Sequence, residues 1–363
     1  MARLPKAETV ARMRCEVLEW YDRSRRDLPW RQTQDPYAIW VSEIMLQQTR
    51  VAVVMERYTA FLQRYPSVGA LAAADEQDVL ALWSGLGYYR RARMLHKAAQ
   101  AVVAEGGGKM PESAAELRKL PGIGSYTAAA IASIAYGEHV AVVDGNVERV
   151  LSRIRGWESH DSIGEAAVRR KVEELSAALV DPGRPGDFNQ AMMELGATVC
   201  TPRNPQCLVC PWKTECRTLG EHKTPKRAPM TSKEIACALI VREGDGGGEV
   251  LLVQRAATNT VMPGMWELPL LAGGTLEDKR PAFAVRHAIM QVNYIVHVYE
   301  MREADMDWPA GSGEERRWVS RGQAAEMALT GLARKVLIRA GLLKTTAGAK
   351  SPAFASPPIR ELI

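Results

Sequence analysis

The chain has 363 residues, a composition typical of globular proteins and a formal net charge of +5 at pH 7. This length suffices for two domains, and the mildly basic balance permits a polyanionic partner without requiring one. No apolar run approaches the roughly 20 residues that cross a bilayer, and the N-terminus lacks the apolar region of a signal peptide, so we expect a cytoplasmic protein.

The first predicted helix covers residues 6–20 and leads through a polar loop to Leu-Pro-Trp-Arg at residues 28–31. Trp30 beside Arg31 would offer a nucleobase a stacking face and hydrogen-bond donors. A Trp at the edge of a loop is more often a plug of the hydrophobic core, and without further context this second interpretation is favoured.

A second helix is predicted from Tyr37 to about Gln47, because Asp35 followed by Pro36 is a typical helix start. Glu43 falls within the apolar stripe of this helix, where burial would raise its pKa. A carboxylic acid that stays protonated near neutral pH is suited to general acid catalysis. The alternative is a surface Glu at the edge of the stripe, which is the commoner fate of such a residue.

Two further amphipathic helices are predicted at residues 51–65 and 71–83, and a loop is predicted at residues 85–93. This loop contains two glycines, two tyrosines and three arginines, which together would provide base stacking, a wedge and phosphate neutralisation. The alternative is a solvated basic helix start, which the interleaved aromatic residues disfavour.

The helical part of the chain is organised around residues 117–146, which contain a helix end, a Leu-Pro-Gly-Ile-Gly turn, an apolar helix at residues 125–136 and a short apolar run before Asp144. Gly122 and Gly124 permit a tight turn, so that amides at the start of the next helix face outward as a site for a DNA phosphate. The alternative is an ordinary helical hairpin in which Asp144 only caps the following helix. On this stretch alone the two interpretations are equally favoured.

Four cysteines follow with the spacing Cys-x6-Cys-x2-Cys-x5-Cys, namely Cys200, Cys207, Cys210 and Cys216. In a reducing compartment such a group indicates a metal site rather than disulfides. Four thiolates suit either structural zinc or an iron-sulfur cluster, and the short last gap disfavours a zinc ribbon without separating the two fully.

The periodicity of the chain changes after the cysteines. Residues 1–222 are predicted to form an all-helical domain, and residues 223–233 a linker. Strand-like runs then predict an α+β domain over residues 234–343, followed by a flexible tail over residues 344–363.

These features occur in the order of a known family. Glu43 followed by Gln-Gln-Thr, the glycine turn, Asp144 and the four-cysteine loop make residues 10–220 resemble the helix-hairpin-helix DNA glycosylases of the endonuclease III superfamily. The segments at residues 28–31, 42–49 and 188–196 are similar to the adenine DNA glycosylase (MutY) family within it.

The resemblance implies a DNA repair enzyme that acts as a monomer on double-stranded DNA, carries a 4Fe-4S cluster on the four cysteines, and has a C-terminal Nudix-like domain. This domain is expected to bind rather than to hydrolyse, because the chain has no intact Nudix box of the Arg-Glu-x2-Glu-Glu type.

The resemblance also implies the reaction. Adenine mispaired with 8-oxoguanine or guanine would be flipped out of the duplex, and its N-glycosidic bond would be hydrolysed. Glu43 would protonate N7 of the base, and Asp144 would stabilise the oxocarbenium ion of the sugar. Asn146 would orient Asp144, and Tyr126 would lie against the sugar.

Further residue roles follow from the same resemblance. The adenine pocket is expected to be formed by Trp30, Arg31, Leu46 and Gln190. The residues expected to bind DNA are Gln48, Thr49, Leu86, Tyr88, Gly122, Gly124 and Ser125. In the C-terminal domain, Ile289, Met290 and Gln291 occupy the positions of a Phe-Ser-His type loop that reads the base opposite adenine, so we expect a weakened preference for 8-oxoguanine over guanine.

Three rival functions remain at this point. A bifunctional glycosylase/lyase would need a lysine where this chain has Tyr126, which cannot form a Schiff base. A thymine mismatch glycosylase is disfavoured by the Leu-Pro-Trp-Arg segment and by the C-terminal domain. A non-catalytic iron-sulfur protein that binds lesions is disfavoured by the presence of both Glu43 and Asp144.

Overall fold

The structure is a computed structural model of the whole chain, which folds into two compact units, Met1–Ala228 and Pro229–Ile363. The residues that it describes are 5–157, 164–222, 229–244, 248–271, 276, 279–289, 291–306, 308 and 315–344. Residues 223–228 of the predicted linker, Met290 and the predicted tail from residue 345 onward lie outside the described residues.

The described part of the first unit is helical and contains no strand, as the sequence predicts. Its α-helices are α1 (Ala7–Ser24), α2 (Pro36–Leu46), α3 (Val51–Arg64), α4 (Val68–Ala72), α5 (Glu76–Leu82), α6 (Arg90–Gly106), α7 (Ala114–Leu117), α8 (Ser125–Tyr136), α9 (Gly145–Arg155), α10 (Glu165–Leu179) and α11 (Pro185–Thr198). Within the described residues of the whole chain, no helix is long and apolar enough to cross a membrane.

The start of α2 agrees with the prediction. The carboxylate of Asp35 accepts hydrogen bonds from the backbone N–H groups of Tyr37 and Ala38, and Pro36 occupies the first turn. Each residue from Tyr37 to Met45 is buried, which makes α2 the central helix of the unit. Full burial of an aliphatic side chain such as Ile39 stabilises the fold by about 1.5–3 kcal/mol.

Two predicted boundaries were wrong. The helix predicted at residues 71–83 is divided into α4 and α5, because Asp75 caps a new helix by accepting from the backbone N–H of Gln77 at 2.7 Å. The loop predicted at residues 85–93 ends at Tyr89, where α6 begins.

Two glycines allow close approaches that shape the site. Gly122 has φ +75°, and a Cβ there would lie 2.5 Å from Cβ of Met94 on α6. A Cβ at Gly196 on α11 would lie 2.5 Å from Cβ of Asn146. Both distances are too short for another residue, so the turn packs on α6 and the start of α9 packs on α11 only with glycine at these positions.

The second unit has the predicted α+β composition. Its strands are β1 (Thr231–Leu239), β2 (Val241–Arg242), β3 (Glu249–Gln254), β4 (Trp266–Glu267), β5 (Phe283–Ile289), β6 (Val292–Glu300) and β7 (Arg316–Val319), and its helices are α12 (Arg321–Glu326) and α13 (Gly331–Arg339). One sheet has the order β1-β6-β5, with β1 parallel and β5 antiparallel to β6. In the other, β3 pairs with β2, β4 and β7. Buried residues of both sheets pack with α13 in one core.

Candidate active site

A cavity of about 560 Å³ in the first unit brings together residues that are far apart in the sequence. The predicted catalytic and adenine-binding residues that line it are Trp30, Arg31, Glu43, Leu46, Tyr126, Asp144, Asn146 and Gln190. Gln48 and Thr49 line it as well. The fold therefore places both carboxylates in one concave site of the size that binds small molecules.

Glu43 is buried in this cavity wall. Its side chain is on α2, the residue is 4% exposed, and Tyr126 on α8 donates a hydrogen bond from its hydroxyl to Oε2 of Glu43 at 2.6 Å. Burial raises the pKa of Glu43 to about 7, although the hydrogen bond from Tyr126 opposes this. The alternative interpretation of Glu43 as a surface residue was wrong. A pKa near neutrality suits a group that donates a proton.

Asp144 is held by both carboxylate oxygens at the start of α9. Oδ1 accepts from the backbone N–H of Val147 at 2.7 Å, and Oδ2 accepts from Nδ2 of Asn146 at 2.8 Å. The residue is half-buried and lines the cavity. Asp144 is therefore both the helix cap that the sequence left open and a fixed negative charge in the site, which the helix N-terminus stabilises.

Asn146 is itself anchored by an arginine that the sequence did not single out. Arg149 donates from Nη2 to Oδ1 of Asn146 at 2.7 Å and from Nε to the carbonyl oxygen of Cys200 at 2.8 Å. Arg149 also donates to the carbonyl oxygen of Gly196 at 2.8 Å. The amide that orients Asp144 is thus tied to the start of the cysteine loop.

Trp30 and Arg31 form another part of the wall. Trp30 is buried with its ring edge against Tyr58, so it is a core plug as well as a cavity residue. Arg31 donates from Nη2 to Oε2 of Glu194 at 2.8 Å, and Arg26 makes further hydrogen bonds to the same carboxylate.

Sequence reasoning missed several cavity residues, namely Arg26, Leu28, Val51, Met193, Glu194 and Ala197. Met193, Glu194 and Ala197 lie on the same face of α11 as Gln190. Extending the helix face that carries Gln190 would therefore have identified them. Sδ of Met193 lies 3.3 Å from the hydroxyl oxygen of Tyr126 and is a second acceptor for this hydroxyl.

The two loops beside the cavity hold residues predicted to contact DNA. Gln48 and Tyr88 are exposed and have left-handed backbone angles, φ 57° and φ 48° respectively. Such angles are uncommon outside glycine and indicate that the surrounding structure imposes them. Leu86, which was predicted to wedge into DNA beside Tyr88, is instead 4% exposed, because its side chain packs into the interior.

Arg91 also departs from its predicted role. It was expected to neutralise a phosphate, but its guanidinium points inward from the first turn of α6. Nη1 donates to the carbonyl oxygens of Ile44 and Gln47 at 2.6 and 2.5 Å, and Nη2 donates to that of Leu86 at 3.0 Å and to the hydroxyl of Thr49 at 3.1 Å. Arg91 therefore joins the end of α2 to the loop that carries Tyr88.

The glycine turn leaves the start of α8 open. Gly122, Gly124 and Ser125 are exposed, whereas Ile123 between them is buried and anchors the turn. No side chain caps α8, whose N-cap is Gly124. Backbone N–H groups at such a helix start are suited to binding an anion.

The four predicted cysteine ligands line one small cavity beside α9 and the end of α11. The guanidinium of Arg153 lies 3.5 Å from Sγ of Cys200, and the backbone N–H of Leu219 donates to Sγ of Cys216 at 3.4 Å. In the described chain no three His, Cys, Asp or Glu side chains are placed to hold a single metal ion. Four thiols around one shared cavity, with N–H donors beside them, are a donor set suited to either metal group that the sequence predicts.

In the second unit, Ile289 ends β5 and pairs with Val292 at the start of β6. Gln291 is exposed, and its carbonyl oxygen accepts from the backbone N–H of Thr231 at 3.0 Å. Met290 lies outside the described residues. The role of these positions in reading an opposite base stays a prediction.

Comparison with known proteins identifies relatives of this chain. Residues 41–177 match the family described as "HhH-GPD superfamily base excision DNA repair protein". The adenine DNA glycosylase of Mycolicibacterium smegmatis is 44% identical over 203 residues, which cover 56% of this chain and 68% of that protein. The human adenine DNA glycosylase is 40% identical over 316 residues, covering 72% of this chain and 57% of that protein. The chain thus spans less than two thirds of the human relative.

Two solved structures resemble the first unit. A thermostable thymine-DNA glycosylase is 30% identical with a TM-score of 0.54, and the match covers 58% of this chain and 97% of that one. A non-covalent endonuclease III–DNA complex is 23% identical with a TM-score of 0.50, covering 60% and 97% of the two chains. The second likeness shows the fold alone.

Proposed function

Because the chain belongs to the adenine DNA glycosylase family of the HhH-GPD superfamily, we propose that it hydrolyses the N-glycosidic bond of adenine mispaired with 8-oxoguanine or guanine in double-stranded DNA. The observation that carries the proposal is the pairing of two carboxyl groups in one cavity. Glu43 is buried with a pKa of about 7, and Asp144 is fixed by two hydrogen bonds. One group is suited to donate a proton and the other to stabilise positive charge.

Adenine has to leave the base stack before these groups reach it, since its glycosidic bond is inaccessible within the duplex. The cavity would receive the flipped base, with Trp30, Arg31, Leu46 and Gln190 around it. Glu43 donates its proton to N7, which turns adenine into a neutral leaving group. Gln48 and Tyr88, exposed on the adjacent loops, would occupy the space that the base leaves.

Asp144 then stabilises the oxocarbenium ion that develops on the sugar, and water completes the hydrolysis. Asn146 keeps the Asp144 carboxylate in place through its 2.8 Å hydrogen bond, and Arg149 holds Asn146. At the position where a lyase needs an amine, the chain has Tyr126, whose hydroxyl donates a hydrogen bond to Glu43. Base removal without efficient strand cleavage is therefore the expected outcome.

Cys200, Cys207, Cys210 and Cys216 would hold a 4Fe-4S cluster. The cluster would brace the loop between α11 and the end of the first unit, because cluster binding is coupled to folding of its ligands. Arg149 and Arg153 bind carbonyl oxygens of this loop, so bracing it also supports the anchor of Asn146.

The second unit is proposed to be a Nudix-like domain that binds the base opposite adenine without hydrolysis. Its support is the mixed α+β architecture and the absence of an intact Nudix box in the sequence. Ile289 and Gln291 lack the aromatic ring and the small donors of the usual loop, which favours a weak preference for 8-oxoguanine over guanine.

A single-turnover assay with the intact chain tests the proposal. The substrates are duplexes with adenine opposite 8-oxoguanine, guanine, cytosine or thymine, and a duplex with thymine opposite guanine. We expect adenine release opposite 8-oxoguanine and guanine, with strand breaks only after alkali treatment. Glu43→Gln should abolish release, whereas Glu173→Gln, a matched change of an exposed carboxylate on α10, should not. Release of thymine instead, or none of either base, would overturn the proposal.

A further inference from the structure

Glu194 on α11 is a buried carboxylate whose oxygens are fully engaged. The residue is 1% exposed and lines the same cavity as Glu43. Oε1 accepts from the backbone N–H and Nε of Arg26 at 3.1 and 2.8 Å. Oε2 accepts from Nη2 of Arg26 at 2.6 Å and from Nη2 of Arg31 at 2.8 Å. With two donors on each oxygen, the carboxylate has little left to offer a ligand, and its partners are two guanidinium groups.

Glu194 stays ionised at neutral pH. Burial alone would raise the pKa of Glu194, but the hydrogen bonds from Arg26 and Arg31 outweigh it and lower the pKa to about 2. A buried ion pair stabilises a fold no better than well-packed apolar side chains, so stability does not explain its place in the cavity wall. The second terminal nitrogen of the Arg31 guanidinium is fixed as well, since Nη1 donates to the carbonyl oxygen of Arg26 at 3.1 Å.

We infer that Glu194 is a positioning residue for the proposed reaction, which fixes Arg31 in the cavity wall and offsets one of the two guanidinium charges there, so that Glu43 keeps the proton that it donates to the base. The inference rests on the proposed function. Through Glu194, α11 would help to control the protonation of Glu43 in addition to lining the cavity.

The charges around Glu43 show why compensation matters. Tyr126 faces it from α8, Asp144 from the start of α9, and Arg31 from the segment before α2. Arg91 on α6 contacts the backbone of α2. Burial raises the pKa of Glu43, the hydrogen bond from Tyr126 lowers it, the charge of Asp144 raises it and the charge of Arg31 lowers it. Arg26, Arg31 and Glu194 together carry one net positive charge. Without Glu194 they would carry two, which would favour the ionised, inactive form of the acid.

The test is the pH dependence of single-turnover adenine release by Glu194→Gln, which keeps the shape of the side chain and removes its charge. The high-pH limb of the profile should move to lower pH by about one unit, so that the rate at pH 8 falls about tenfold. The rate at pH 5.5 should change far less. Asp22→Asn, which removes an exposed ion pair with Arg184, is the matched control and should leave the profile in place.

A charge-restoring variant separates this role from a merely structural one. In Glu194→Gln/Arg31→Gln the surplus charge of Arg31 is removed, and the high-pH limb should return toward that of the wild type even if the maximal rate stays low. Should Glu194→Gln fail to fold, Glu194→Asp keeps the charge, and its high-pH limb should remain in place. A limb that stays in place in Glu194→Gln, or that the double variant does not restore, would overturn the inference.

The inference and the proposed function fail in different ways. If the wild-type protein releases no adenine from any duplex, the proposed function is wrong. A ¹³C NMR titration of the Glu43 carboxyl carbon, with Glu43→Gln for assignment, measures its proton occupancy without catalysis. An unchanged titration of Glu43 in Glu194→Gln would overturn the role of Glu194, whether or not the protein is active.

Discussion

The protonation state of Glu43 should affect the stability of the protein as well as its activity. The ordinary pKa of a glutamate near 4.5 is raised by burial to about 7. This difference corresponds to about 3 kcal/mol that the fold loses when Glu43 ionises in its buried position. The site thus trades stability at high pH for a protonated acid at neutral pH.

The sign follows from proton binding. Between pH 4.5 and 7 the folded protein holds the Glu43 proton while the unfolded chain releases it, so this contribution is fully present below pH 4.5 and lost as the pH rises through 7. Glu43→Gln removes the ionisable group but still accepts the hydrogen bond from Tyr126. The variant should therefore be more stable than the wild type by up to about 3 kcal/mol at pH 8 and by about 1 kcal/mol or less at pH 5.

Urea denaturation followed by circular dichroism at the two pH values measures this difference in the free energy of unfolding. In the same protein preparations, the variant should release no adenine, and the wild-type rate should fall about 15-fold between pH 7 and pH 8.5 as the acid ionises. Glu173→Gln provides the control for loss of a carboxylate on the surface. If Glu43→Gln were no more stable than the wild type at pH 8, Glu43 would not be the strained acid that the structure indicates.

Four further outcomes are expected. Asp144→Asn should abolish adenine release but change the melting temperature little, because Asn caps a helix as well as Asp does. A loss of DNA binding, measured by electrophoretic mobility shift, would contradict this assignment. Arg91→Met should lower the free energy of unfolding by about 3 kcal/mol or more, measured in urea, since it leaves buried carbonyl oxygens without donors; an unchanged stability would show that they find other partners. Cys207→Ser should lose iron and fold together, by absorbance near 400 nm and circular dichroism, whereas stoichiometric zinc in the wild type would refute the cluster. Placing Phe-Ser-His at residues 289–291 should increase the ratio of single-turnover rates opposite 8-oxoguanine and guanine, and an unchanged ratio would show that recognition lies elsewhere.

The sequence by itself determined those features that depend on local chemistry. Asp35 and Pro36 start α2 through contacts within one helical turn, and the apolar neighbours of Glu43 on this helix follow from helical periodicity alone. The spacing of the four cysteines and the change to strand-like periodicity after the linker are likewise local. These patterns sufficed for the helical first unit, the α+β second unit and the family.

Only the tertiary structure decided which side chains share a surface. Arg91 and Leu86 lie in a segment whose basic and aromatic composition suits DNA, but their direction depends on the backbone carbonyls and core packing of α2. Nothing near Glu194 in the sequence shows that Arg26 and Arg31 surround it. Contacts between residues separated by more than 160 positions depend on how whole helices pack, and packing is a property of shape that one-dimensional periodicity does not contain.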